Sequence, residues 1–416
     1  MAVEQIQVQN AVVTKKDDKT RYDYLLIVVV MTLLLIGLMM VYSTTFAIDP
    51  DRPTYFFVRQ LMWAGIGIVA LVVMARTPYT FWRRLSVPMM FGVLLLLVAV
   101  LVFGPERFGA QRSLLQQGSL QPSELAKLVI ILYIADWTSS KGDKIRQVTY
   151  GLIPFAVMLG VVTGLIVLQP DFGTAILIVS TALVMFFLAG ADLLQLAIGS
   201  VVSTVTLLFL ISQSSYASER MRSFVEGMID PVGLGNYQVR QALIALGFGG
   251  VFGRGLGQSL QKLQFLPLAH SDSIFAVLGE ELGLIGCLLV VALFTALAYR
   301  GFRIALKCPD NYGMVLAAGL TSWLIIEALI NIGVVTASVP PTGIPLPFIS
   351  TGGSSLVASL AAVGLLISVS RGERGESKRS HALFDFGRRD SRPRLPKSGD
   401  RPGPGRRRKS SNERAS

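Results

Sequence analysis

Apolar runs long enough to cross a membrane recur along the chain: residues 24–42, 56–75, 86–104, 122–138, 151–168, 174–190, 194–212, 273–298, 312–336 and 353–370. About twenty residues of α-helix rise about 30 Å, the thickness of a hydrocarbon core. Each run therefore reads as one crossing, and the tightest pair, 174–190 and 194–212, is separated only by Ala191, Asp192 and Leu193. The pattern predicts an all-α polytopic membrane protein of about ten transmembrane helices. Ten is even, so both termini share a side. No inverted repeat of the kind that marks many transporters is visible.

The polar connectors orient the bundle. Those after the second, fourth and eighth runs ("ARTPYTFWRRLS", "SSKGDKIRQ", "YRGFRIALKCPD") hold three Lys or Arg each, whereas "STTFAIDPDRPT" after the first holds one. The excess of positive charge on cytoplasmic loops places the three basic connectors and both termini inside. Residues 213–272 form a connector far longer than the usual handful. It carries apolar and aromatic residues, six glycines from Gly247 to Gly257 ("GFGGVFGRGLG"), and the cations Arg220, Arg222, Arg240, Arg254 and Lys262. A large ordered extracytoplasmic loop between helices 7 and 8 is expected. The regions are then a cytoplasmic segment (1–20), a membrane domain (21–370) and a tail (371–416).

Composition agrees with membrane insertion. Of 416 residues 52% are hydrophobic and only 15% charged, against roughly a quarter charged in soluble domains, and the mean hydropathy is +0.58. The net charge of +12 is concentrated in the tail, where 15 Lys/Arg face 6 Asp/Glu from Arg371 onward. That Pro-, Gly-, Ser- and Arg-rich stretch is too polar to build a core and reads as disordered. It suits either an arm for anionic lipid headgroups or partners, or a solvated cytoplasmic tail. Apart from Phe384 and Phe386 it lacks the interleaved aromatics of a nucleic-acid binder. Cys287 and Cys308 give neither a disulfide framework nor metal-ligand spacing. The first apolar run follows "TKKDDKTRYD" without a cleavage site and reads as a retained span.

Three polar clusters interrupt this apolar background. In "PLPLAHSDSIFAVLGEELG" (265–283), Asp272 stands at the start of the eighth run and Glu280 and Glu281 lie inside it. Asp272 fits a helix N-cap and equally a general base at the membrane surface. At 100° per residue, Glu280 falls about 80° and Glu281 about 180° from Asp272, so the three cannot share one cavity. In "RSLLQQGSLQPSELAKL" (112–128), Glu124 and Lys127 share a helix face. They form an intrahelical ion pair or a polar cavity for an anion, with Arg112 just outside the membrane. In "NIGVVTASVPPTGIPLPFISTGGSSL" (331–356), four prolines break the pattern. Such backbone survives at membrane depth only when buried in protein or lining a wet cavity, and "STGGSS" offers N–H groups at a helix start.

In this order, "QPSELAKL", "QPDFGTA", "DPVGLGNYQVRQALIALGFGGVFGRGLGQSLQKLQFLP", "AHSDSIFAVLGEELG" and "PLPFISTGGSS" resemble the SEDS family (shape, elongation, division and sporulation) over about residues 20 to 370. The resemblance implies a peptidoglycan glycosyltransferase that polymerises lipid II. The acid of the family's "H-T-D-F-I-F" element falls on Asp272, and the Glu and Lys of "Q-P-S-E-x-x-K" on Glu124 and Lys127. Ser271, Ser273, Leu268 and Thr351 depart from the family's usual residues, and its "ARRW" element reads "AQRS" around Arg112. "GQSLQKLQFLP" and "FFVRQLMWAGIGIVALVVM" look more like the division branch than the elongation branch.

Under this reading Asp272 takes the proton of the acceptor hydroxyl, a step worth about 10²–10⁴ in rate. Arg112, Arg222, Lys262, Lys127 and the glycine-rich backbone, or a divalent cation (Mg or Mn), compensate the departing lipid diphosphate. Glu124 shares the Lys127 cavity, and His270 tunes Asp272 or caps the loop. The implied partners are lipid II, the growing glycan strand, a class B penicillin-binding protein (a transpeptidase) docked on spans eight and nine, and other division proteins. The implied location is the bacterial inner membrane at the septum. A flippase of lipid-linked precursors and a non-catalytic division scaffold are the rival classes.

Overall fold

The structure is a computed structural model that describes residues 23–46, 54–104, 121–229 and 236–388, apart from 264 and 268. Arg112 and Leu268 therefore lie outside the described residues. The described elements are α1 (Tyr24–Thr45), α2 (Tyr55–Arg76), α3 (Tyr79–Phe103), α4 (Pro122–Lys141), a 3₁₀ turn (Gly142–Arg146), α5 (Leu152–Val167), α6 (Phe172–Leu188), α7 (Leu193–Gln213), α8 (Ser215–Ile229), α9 (Tyr237–Gly249), α10 (Ile274–Lys307), α11 (Asn311–Val335) and α12 (Gly353–Arg388).

The ten apolar runs correspond one for one to α1–α7 and α10–α12. Seven of these helices are long and apolar enough to cross a membrane, and α5 and α6 are shorter apolar helices. The twenty residues of α4 carry Glu124, Lys127, Asp136 and Lys141 and are less apolar for that reason. The chain is a multi-pass membrane protein. Helices do not stop where hydrophobicity stops. α3 begins at Tyr79 rather than 86, α10 runs to Lys307 rather than 298, and α12 continues into the stretch read as disordered, to Arg388. Arg, Lys and Glu are good helix formers, so a span can extend into polar sequence beyond its apolar run. The chain divides into two units, Met1–Arg374 and Gly375–Ser416.

α11 occupies the middle of the first unit. Leu316, Ala317, Leu320, Trp323 and Leu324 are all buried, as expected for a helix apolar around its whole circumference, and it packs on α4, α6 and α10. α1 runs antiparallel to α10. Asp23, before α1, accepts from Arg300 near the end of α10 at 2.6 Å, while Ser43 near the end of α1 donates to Glu281 near the start of α10 at 2.6 Å. Asp272 thus lies at the opposite end of the bundle from Asp23 and Arg300.

The long connector carries two helices (α8, α9), and its glycine-rich part closes a break in α10. Gly283 leaves the helical region (φ 68°, ψ −168°), which frees backbone groups inside an apolar segment. The connector satisfies them: Arg254 and Gly255 N–H donate to the carbonyls of Glu280 and Glu281 at 3.0 Å each, and Leu284 N–H donates to Gly250 O at 2.9 Å. A Cβ at Gly249, Gly253 or Gly283 would collide with the facing backbone. These glycines permit backbone-to-backbone packing. They do not cradle an anion, because the N–H groups of Arg254 and Gly255 point into α10.

Candidate active site

Asp272 precedes α10 but does not cap it. The N-cap is Ser273, with no side-chain cap bond. The turn carrying Asp272 is pinned through its main chain instead. Asn331 Nδ2, in the last turns of α11, donates to Asp272 O at 2.9 Å and to Ile344 O at 2.8 Å. Ser350 Oγ donates to Ser271 O at 2.7 Å and accepts from Leu346 N–H at 2.8 Å. Thr351 Oγ1 donates to His270 O at 2.7 Å, and Gln60 of α2 donates to Ser350 O at 3.2 Å. Two segments distant in sequence, α11 and residues 350–351, therefore hold residues 270–272 in place, with Gln60 of α2 behind the second, and the half-buried carboxylate receives a bond from Ser271 Oγ at 3.0 Å. A carboxylate carried on a rigidly held turn is well placed for chemistry.

Across from this carboxylate stands a cation that sequence reasoning left out of the site. Gly343 has φ +75°, and a Cβ there would lie 3.4 Å from Asp272 Oδ2 and 3.9 Å from Arg220 Nη1. Arg220, on α8, donates to Pro341 O at 3.2 Å. The broken segment 336–352 thus brings an arginine of the connector beside the acid. The available signal was helical spacing: Arg220 and Arg222 differ by 200° around α8, so only one can face inward. Arg222 is the outward one, exposed and paired with Glu226 at 2.7 Å.

The remaining motifs converge on the same end. Asp171 caps α6, accepting from Thr174 N–H and Oγ1, and also accepts from Gln121 ahead of α4 at 3.2 Å. Gly173 lets α6 approach the Thr342 carbonyl. Below them lies a buried triad. Lys127 Nζ sits 2.7 Å from Glu124 and 2.7 Å from Glu327 of α11, with the Trp323 ring centroid 5.3 Å away. Glu327 and Asn331 are one turn apart on α11, so the triad lies about 6 Å along the helix from the residue that pins Asp272.

The FtsW/RodA/SpoVE family model, described as a cell cycle protein, matches residues 23–375. This chain belongs to that family. It is 40% identical over 357 residues to "Probable peptidoglycan glycosyltransferase FtsW" of Trichlorobacter lovleyi, covering 84% of this chain and 93% of that protein. It is 43% identical over 364 residues to stage V sporulation protein E of Bacillus subtilis, covering 85% and 98%. Among solved structures, rod shape determining protein RodA of Thermus thermophilus matches with TM-score 0.62 and 29% identity, over 84% of this chain and 97% of that one. A chain from "Structural coordination of polymerization and crosslinking by a peptidoglycan synthase complex" matches with TM-score 0.70 and 28% identity, over 85% and 98%.

Within this family fold, the expected site residues separate. Asp272 and His270 belong to the pinned turn. Lys127 was expected to meet an anionic substrate, yet it is buried between two carboxylates, which neutralise it internally. Lys262 is also buried, its ammonium 2.8 Å from Glu281 and 3.0 Å from Ser43, beside a cavity of about 480 Å³ between α1 and residues 256–263. Glu280 accepts from Ser259 Oγ and, at 2.9 Å, from Leu260 N–H. The two glutamates of the eighth span thus anchor the connector. The "STGGSS" turn is no open anion seat either: Thr351 N–H donates to His270 O, and the Trp63 ring closes against Gly353.

His270 lies against the Phe56 ring at 5.6 Å, and its burial lowers the imidazole pKa below the usual value of about 6.5. The folded state therefore takes up this proton at lower pH than the unfolded chain does. Stability from the neutral imidazole is complete above about pH 6.5 and declines as the pH falls from there toward the folded-state pKa. Melting in detergent from pH 8 to 5 should show this decline, and His270→Gln should flatten it. An unchanged slope in the variant would remove His270 as the cause.

Proposed function

We propose that this chain is a peptidoglycan glycosyltransferase that polymerises lipid II on the outer face of the inner membrane, in septal wall synthesis. Both termini are cytoplasmic in this reading. The observation that carries it is Asp272 in a turn fixed by its main chain, with the Arg220 guanidinium across Gly343. The acceptor sugar's hydroxyl oxygen attacks C1 of the donor sugar as Asp272 takes the hydroxyl proton. The C1–O bond to the lipid diphosphate breaks, and the leaving group departs with the electron pair toward positive charge. Among the described residues no group of three His, Cys, Asp or Glu could hold a metal ion, so no step is routed through Mg or Mn.

The partner in this reading is a class B penicillin-binding protein. The peptidoglycan synthase complex among the structural matches supports that assembly. A lipid-facing ridge on α10, with Leu284, Ile285, Leu288 and Leu289 each at least half exposed, suits a single transmembrane helix. Purified full-length chain, with and without that partner, should convert fluorescent lipid II into glycan strands on a gel. Movement of labelled lipid II between leaflets of proteoliposomes, with no strands formed under either condition, would establish the flippase reading instead.

A further inference from the structure

The cavity of about 480 Å³ between α1 and residues 256–263 has no place in the chemistry at Asp272. Its size is that of an organic-ligand site, about 300–1,000 Å³. The walls are apolar, with Met39, Tyr42 and Phe46 along α1 and Leu256, Leu260 and Leu263 on the connector. All but Met39 are about half exposed. Charge enters the lining at one place, where Lys262 stands beside Ser43. The Lys262 side chain is only 5% exposed, and its ammonium donates to Glu281 Oε1 at 2.8 Å and to Ser43 Oγ at 3.0 Å. An ammonium carries three N–H donors, and the third has no acceptor among the described residues. A buried donor left unsatisfied is costly, and a ligand oxygen in the cavity would relieve it.

Height in the membrane restricts what that oxygen belongs to. Asp23 meets Arg300 at one end of α1, and Ser43 meets Glu281 at the other. The helix between Asp23 and Ser43 rises about 30 Å, one hydrocarbon thickness. The Lys262 ammonium therefore stands where hydrocarbon gives way to headgroups on the Asp272 side, and the Tyr42 ring at the rim suits such an interface. Met39 lies one helical turn deeper than Ser43, so the apolar wall runs from the ammonium into the hydrocarbon layer.

We propose that this cavity binds a phospholipid of that leaflet, with a fatty-acid ester carbonyl on the Lys262 ammonium and the acyl chain between α1 and the connector. Charge selects the ester. Glu281 already answers the ammonium, and Glu280 accepts from Ser259 at the edge of the cavity. A diphosphate or a free carboxylate would therefore meet two carboxylates across a cation that is already paired. A neutral carbonyl gains the hydrogen bond without that repulsion, and its phosphate lies farther out, in the headgroup layer. A sugar would set its hydroxyls against leucines. Such a lipid takes no part in glycosyl transfer. It joins α1 to the stretch that follows the closure of the Gly283 break.

Two photoactivatable phosphatidylglycerols, alike except that one has ester-linked and the other ether-linked chains, test this on full-length protein in phosphatidylcholine nanodiscs. Each carries a diazirine in one chain. After irradiation and digestion, the ester probe should label residues 39–46 and 256–263 several-fold more strongly than the mostly exposed α7. It should exceed the ether probe there by about fivefold, the loss expected of one hydrogen bond. Excess geranylgeranyl diphosphate should leave the labelling unchanged. Lys262→Met combined with Glu281→Gln removes both charges of the pair together, and should erase the preference for the ester while the chains still label. Leu260→Trp, which fills the cavity, should abolish labelling by both probes. Melting temperatures within a few degrees of the parent certify each fold, and the comparison of the two probes on the parent needs no variant. Equal labelling of the parent by ester and ether overturns the carbonyl seat. Labelling no stronger than that of α7 means annular lipid only and overturns the site, and displacement by geranylgeranyl diphosphate overturns it in favour of an isoprenoid.

Discussion

Asp272→Asn should abolish most lipid II polymerisation, by about two orders of magnitude or more, while leaving the fold and the partner complex intact. The carboxamide has the same shape and its oxygen can still accept from Ser271 Oγ. The bonds that hold the turn run to the carbonyls of His270, Ser271 and Asp272 and are untouched by the change. The substitution removes the negative charge and with it the capacity to accept a proton. Its effect should fall on kcat, with KM for lipid II nearly constant, because the base acts on the transition state rather than on ground-state binding. Strand synthesis at the parent rate by a well-folded Asn variant would show that Asp272 is not the base.

Lys127→Met should be the most destabilising single change at this site, by about 3–5 kcal/mol. Lys127, Glu124 and Glu327 are all at most 5% exposed at the side chain, so removing the cation leaves two carboxylates facing each other without water. Combining it with Glu124→Gln and Glu327→Gln removes the uncompensated charge and should restore much of the loss in a melting experiment. Parent-like melting of the single variant would contradict an internally neutralised triad. Activity reads the second part of the role. Glu327 lies one turn from Asn331, which pins Asp272 O and Ile344 O. In the charge-balanced triple variant kcat should fall with little change in KM. A rise in KM at constant kcat would place the Lys127 ammonium on the substrate instead.

The two clusters behaved differently as sequence signals, and the difference has a physical origin. Span number, helical type and the order of the connector follow from local properties: apolar run length, the placement of Lys and Arg, and apolar residues within an unusually long loop. These are set by the solvent, since a chain that cannot hydrogen-bond its backbone to lipid must form helices there. The eighth span could be located by the same means, but not the break at Gly283, because a glycine in a helix and a glycine at a break look alike. Only the approach of residues 250–255 supplies the missing hydrogen-bond partners and makes the break tolerable.

Asp272 was legible because an acid at the mouth of an apolar run is conspicuous. Its role as cap or base was not, since that depends on whether its side chain or its main chain holds the turn. The sequence by itself determined a membrane protein of ten apolar spans, an ordered long connector and the acid at the start of the eighth span. Tertiary structure alone decided that Lys127 and Lys262 are neutralised internally by Glu124, Glu327 and Glu281, and that Arg220 rather than Arg222 faces the acid. A charge acts on whatever lies within a few ångströms of it, and in a low-dielectric interior one partner brought from 200 residues away reverses what it can bind.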